Sequence, residues 1–196
     1  MGTSGVDFYT KVHKGLRASL FRLSQQAGSI DYAQPEAAVS LSQSLEAVLG
    51  QLTAHAGHEE KFIHPLLSRK LDANPFDAEH ARLEAEQRRL AVLMREVLAA
   101  PGERRRPSGL AFYRALNVFI ARYLEHLEGE ERMMTVLWER CTDEELVAVL
   151  AAFGASRPVE EALADIGWIL PALSASEQAE MIAGMSAALS RQGNAP

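Results

Sequence analysis

His55 and Glu59 stand four residues apart, and so do His126 and Glu130. Each HxxxE pair is preceded by a lone histidine: His13 lies 42 residues before His55, and His80 lies 46 before His126. Four residues is slightly more than one helical turn, so each pair projects from one helix face, about 40° apart. A buried carboxylate needs compensating charge, and a metal cation supplies it. A single inward histidine is most often a hydrogen-bonded core residue. Four of them, joined by two inward glutamates, predict a carboxylate-bridged site for two metal ions.

Such a site needs four helices to present it, and the sequence supplies them. Strand signals are nearly absent, and apolar residues recur at three and four. The first helix is expected over residues 6–27, with Phe8, Tyr9, Val12, Leu16, Leu20 and Leu23 inward and Gly28 ending it. The second begins near Pro35, buries Val39, Leu41, Leu45, Val48, Leu49, Leu52, Phe62 and Ile63, and stops at His64 because Pro65 follows. Asp77 is the expected N-cap of the third, which reaches Ala99 with Leu83, Leu90, Leu93, Met94 and Val97 inward. A loop follows, and the fourth runs over residues 109–140. His13, His55 and His126 share the apolar stripes of their helices, and the histidines fall near one depth. His80, close to its helix start, fits that layer least well.

The fold class predicted is all-α: an up-down-up-down four-helix bundle over residues 1–140 with a C-terminal helical extension over 141–196. In the extension, Thr142 to Glu145 form a capping box that opens a helix to Phe153. Residues 154–158 make a break, Pro158 opens another helix that Pro171 interrupts, and Ser176 caps a last helix reaching Leu189.

Composition narrows the function classes. The chain has 196 residues, with 47% hydrophobic and 23% charged, ordinary for a soluble globular protein. A formal net charge of −6 argues against general nucleic-acid binding. The basic run Arg104-Arg105-Arg106 sits among Pro101, Gly102 and Pro107 and is expected to be a solvated loop. Cys141 is the only cysteine, so neither an internal disulfide nor a thiolate site is available. No apolar run is long enough to span a membrane, no secretory signal is visible, and the opening Met-Gly-Thr-Ser-Gly-Val lacks the Ser or Thr that N-myristoylation prefers. A cytoplasmic location and no membrane partner are expected.

The segments Val-His13-Lys-Gly-Leu-Arg17, His55-Ala-Gly-His58-Glu59-Glu60, Asp77-Ala-Glu-His80 and His126-Leu-Glu-Gly-Glu130-Glu131 resemble the hemerythrin-like, or HHE cation-binding, family over about residues 6–140. That resemblance implies a non-haem di-iron centre, two iron ions bridged by Glu59 and Glu130, with His13, His55, His80 and His126 as terminal ligands. The oxygen-carrying members place two histidines four apart in the third helix, whereas here Glu84 follows His80. The second helix carries an additional His58, either a fifth imidazole ligand or an edge residue. Glu84 is either a ligand or a surface charge, and His64 should face solvent. Gln51, Glu84 and Tyr123 are candidates to orient the ligands. Tyr9, Phe62, Phe119, Met94 and Met133 are candidates for an apolar pocket, and Arg17 and Arg122 could pair with core carboxylates.

The resemblance implies a small ligand, dioxygen or a related oxidant such as peroxide or nitric oxide, that the protein would sense, store or detoxify. A di-iron peroxidase or oxidase is the second expectation. The pairs lack the Glu-x-x-His spacing of ferritin-like oxidases, since Leu52 precedes His55 and Tyr123 precedes His126 by three. An iron-handling or interaction module is the third, with the C-terminal helices offered to a second copy or a protein partner.

Overall fold

A computed structural model of the protein describes residues 5–71 and 73–193, with side chains as far as Ser186. The opening Met-Gly-Thr-Ser, read above for a lipidation signal, lies outside these residues. The described residues contain helices and no strand. The bundle consists of α1 (Thr10–Ser29), α2 (Pro35–His58), α4 (Asp77–Ala99) and α5 (Arg105–Arg140), with α3 (His64–Leu71) continuing α2 through a π-helical turn, Glu59–Ile63. α1 packs on α2 and α5, and α4 packs on α2 and α5, which closes the ring of an up-and-down bundle. Among the described residues, no helix is long and apolar enough to cross a membrane.

The helix starts differ from expectation where side chains compete to cap them. Asp7 Oδ1 accepts from the backbone N–H of Tyr9 and Thr10, so α1 begins after it, and the helix runs past Gly28. Asn74, not Asp77, bonds the chain before α4, accepting from the Phe76 N–H; Asp77 is the first helical residue. α5 begins four residues earlier than expected, because Arg105 is buried rather than solvated. Its guanidinium donates to the carbonyls of Val97, Tyr32 and Ala33, tying two interhelix connections together. Val39, expected inward, is exposed.

Pro65 does not end the second helix. In the π turn the His64 N–H donates to the Glu59 carbonyl, five residues back. The wider turn takes up one residue, so the chain continues as α3 rotated by roughly 100° from an unbroken α-helix. His64 is thereby carried inward, to 6% exposure, against the His80 ring at 4.8 Å. The expectation that it faces solvent fails for that reason.

Two separate apolar cores form. The larger includes Leu16, Leu20, Leu52, Leu83, Leu116, Phe119 and Leu127. The smaller joins Tyr9, Ile63, Leu66, Phe76, Met134 and Leu146. Along every bundle helix the histidines and glutamates of interest fall between these two sets: His13 between Tyr9 and Leu16, His80 between Phe76 and Leu83, Glu130 between Leu127 and Met134. A polar layer thus crosses the bundle at one depth. His80 joins it despite lying near its helix start, because Phe76 and α3 close that end.

After α5 the chain folds back over the bundle. The Thr142–Glu145 capping box is present and opens α6 (Asp143–Ser156), which runs beyond Gly154 to Ser156. α7 (Val159–Ile169) follows Pro158, and a 3-10 turn contains Pro171. Ser174, rather than Ser176, caps α8 (Ala175–Gly193), exchanging bonds with Glu177. α6 packs on the π turn and α7 on α1. Lys11–Glu180 and Lys14–Glu177 join α1 to α8.

The α1–α7 contact depends on Gly15: a Cβ there would meet the Trp168 ring at 2.7 Å and the Ile169 Cα at 3.0 Å. Gly15→Leu should cost about 1–3 kcal/mol by overpacking and shift Trp168 fluorescence toward that of solvated indole. An unchanged spectrum and unfolding midpoint would show that α7 does not rest on this contact.

Candidate metal centre

The polar layer brings six side chains together. His13, His55, Glu59 and Glu130 each offer an atom within 4.8 Å of the others, and so do Glu59, His80, His126 and Glu130. All six are at most 8% exposed. The two groups share both glutamates. Glu59 Oε1 lies 3.1 Å from His55 Nε2 and 4.0 Å from His13 Nε2, while Oε2 lies 3.6 Å from His80 Nε2. Glu130 Oε2 lies 3.5 Å from His13 Nε2, while Oε1 lies 3.2 Å from His80 Nε2 and 3.0 Å from His126 Nε2. Each carboxylate therefore turns one oxygen toward each histidine pair.

A self-sufficient polar core would satisfy these atoms internally. It does not: both oxygens of Glu59 and Oε2 of Glu130 are buried without a hydrogen-bond partner. His13 Nε2 and His55 Nε2 point at each other at 3.1 Å, where at most one can donate. Converging lone pairs and unsatisfied carboxylate oxygens fit a cation.

The electrostatics separate the two glutamates. Burial raises the Glu59 carboxyl well above its ordinary range, and the neighbouring Glu130 charge adds to it. Burial also opposes ionisation of Glu130, but its hydrogen bonds from His126 and His80 outweigh it and hold its carboxyl low. Burial and the adjacent His13 push His55 down. His126 is also desolvated, yet its bonds to Glu130 and Glu79 raise it. Tyr9 and Tyr123 are raised first by burial, then by the charges of Glu59 and Glu130.

The outer ring nitrogens find carboxylates. His13 Nδ1 donates to Glu131 Oε1 at 2.9 Å, and Arg17 donates to the same oxygen at 2.5 Å. The His13 bond, followed by Arg17, holds Glu131 down at about 2 despite partial burial. His126 Nδ1 donates to Glu79 Oε2 at 3.0 Å. An ionised carboxylate can only accept, so these bonds fix the tautomer that leaves Nε2 free to face the centre. Glu60 Oε1 stands 3.5 Å from His80 Nδ1. Sequence reasoning missed these three glutamates. Their available signal was adjacency: Glu60 and Glu131 follow the inward glutamates, and Glu79 precedes His80. Glu131→Gln should weaken metal binding roughly 10- to 100-fold with the helical content unchanged, read by competition with a chromogenic chelator; unaltered affinity would remove it from the site.

Other candidates stand elsewhere. His58 lies outside both groups, with its ring 5.0 Å from Phe153 on α6. Glu84 is exposed and pairs with Arg88, and Arg122 pairs with Glu86 at the surface. Gln51 lines a cavity beside the centre, and the Tyr123 ring lies 5.8 Å from His126. Of the five residues expected to form an apolar pocket, Phe62 lines that cavity. Tyr9 covers His13 at 5.2 Å, Phe119 and Met94 are fixed in the larger core, and Met133 packs on the smaller.

An antiparallel bundle whose central layer is a buried set of imidazoles and shared carboxylates defines a helical metal-binding protein. The family model of the hemerythrin HHE cation-binding domain matches residues 4–137, and the chain belongs to that family. No curated protein and no solved structure matches it.

Proposed function

We propose that the layer holds two iron ions and serves a small oxidant: dioxygen, peroxide or nitric oxide. His13 and His55 would hold one ion, His80 and His126 the other, with Glu59 and Glu130 bridging. The observation that carries this reading is the sharing of both glutamates, one oxygen toward each histidine pair. Mixed imidazole and carboxylate ligation suits iron. Bound there, the metal pair supplies electrons and an open coordination position to the oxidant.

The chain's own residues do the rest. Glu131, steadied by Arg17, and Glu79 orient His13 and His126. Tyr9 and Tyr123 remain phenols at neutral pH, and the buried Tyr9 hydroxyl, without a hydrogen-bond partner, keeps a proton near the two carboxylates. The flanking apolar cores limit water. His58 is left outside the ligand set, so His58→Ala should keep the wild-type metal content and visible spectrum; loss of metal would restore it as a fifth imidazole.

The protein would sense, store or detoxify its oxidant in the cytoplasm. A di-iron peroxidase or oxidase is the second reading, favoured by the cavity that reaches His55 and Glu59. Metal analysis and absorption spectra on protein purified without oxygen, then exposed to air, test both. Two irons per chain with new charge-transfer bands support the reading. Bands that reverse on degassing favour binding, and turnover of peroxide with a dye favours the enzyme. A metal-free, fully helical protein overturns both.

A further inference from the structure

A cavity of about 280 Å³ lies between α1, α2 with its π turn, and the helices α6 to α8. Its walls are mostly apolar, with Val12, Phe62, Phe153, Ile166 and Met181 among them, and the Trp168 indole lines it. His55 and Glu59 line it as well, so it abuts the metal layer. Pockets of this kind, apolar with a few placed polar groups, take small organic molecules.

Charge on the lining is balanced. Lys11 pairs with Glu180 at 2.9 Å and Arg157 with Asp165 at 2.5 Å, while Asp165 also accepts from Trp168 Nε1. No lining charge therefore calls for an ionic ligand. Two lining groups nonetheless lack hydrogen bonds: the buried donor Arg157 Nε and the buried acceptor Gln51 Oε1. Leaving such groups unsatisfied costs about 1–3 kcal/mol each, which a ligand meeting both would recover. They are not adjacent. Arg157 and His58 both lie against the Phe153 ring, and His58 is seven residues, about 10 Å, beyond Gln51 along α2. His55 lies between.

We propose that this cavity binds a neutral, largely apolar organic molecule, accepting a hydrogen bond from Arg157 at one end and donating one to Gln51 at the other, with its body against the His55–Glu59 wall. Its placement beside metal ions rests on the two-iron reading; the binding site itself does not. The class of ligand identified is an elongated alcohol, diol or amide rather than an anion.

The test uses 1,8-octanediol as probe and the fluorescence of Trp168 in the Trp138→Phe background, with the full chain both metal-free and iron-loaded. A saturable change is expected in both forms. Arg157→Lys keeps the charge opposite Asp165 but removes the Nε donor, and Gln51→Leu removes the acceptor. Each should weaken the diol about tenfold while leaving toluene, which needs neither bond, unaffected. Ala162→Leu, which fills the cavity, should weaken both ligands, and calorimetry checks the same series should that variant fold poorly. A non-saturable response in the parent protein, or equal diol affinity in Arg157→Lys and Gln51→Leu, overturns the proposal. Diol binding by a chain that takes up no iron would leave this inference standing and remove the metal reading. A shift of the visible bands on adding diol to the loaded protein supports contact with the centre, and unmoved bands at saturation overturn that part.

Discussion

Glu130→Ala should lose most of the bound metal, falling from two ions per chain to well below one. Glu130 is fully buried, belongs to both four-residue groups, and lies within 3.5 Å of His13, His80 and His126. Removing it takes an oxygen from each half at once. Loss of an outer partner of a ligand already costs 10- to 100-fold in affinity, so loss of a shared ligand should cost more. Glu130→Gln separates charge from shape, since it fills the same volume with one acceptor and no charge. It should lose metal almost as fully while keeping the wild-type circular dichroism. His126→Ala should empty its own half more than the other. Near-stoichiometric metal in both Glu130 variants would show that the carboxylate is not a bridge.

Metal removal should lower the thermal unfolding midpoint on the order of 10 °C. Without a cation, the layer leaves three carboxylate oxygens unsatisfied in the interior and sets two inward glutamates against each other. Metal bound to the folded chain and not to the unfolded one stabilises by mass action, about 4 kcal/mol at a thousandfold excess over the dissociation constant. For a chain of this size each kcal/mol moves the midpoint by about 2–4 °C. The midpoint should therefore climb with added metal and fall with chelator, while the helical content survives because both apolar cores lie outside the layer. A midpoint indifferent to metal would make the six residues a hydrogen-bonded core after all.

The centre was more legible in the sequence than its surroundings. His55–Glu59 and His126–Glu130 are spaced by one helical turn, a property of a single helix, and their placement on apolar stripes decided that they point inward. Four such helices with short connections have few ways to bury those stripes, so the bundle and the convergence of His13, His55, His80 and His126 followed. His64 escaped because the π turn changes the helical phase, and a fixed period of 3.6 residues has no means of anticipating it. Arg105 escaped because its hydrogen-bond partners are carbonyls of two other connections. Glu79, Glu60 and Glu131 escaped as orienting groups because charged residues next to an inward position are ordinarily solvated.

The sequence by itself determined the helices, their inward faces, the family and the six residues of the layer, since each of these rests on local periodicity or on motif. The tertiary structure alone decided which oxygen faces which imidazole, how His64 turns, that His58 meets Phe153 rather than either group, and that α6 to α8 enclose a cavity against His55 and Glu59. Those features arise between elements distant in the chain, where side-chain packing and paired charges, not spacing, select the arrangement.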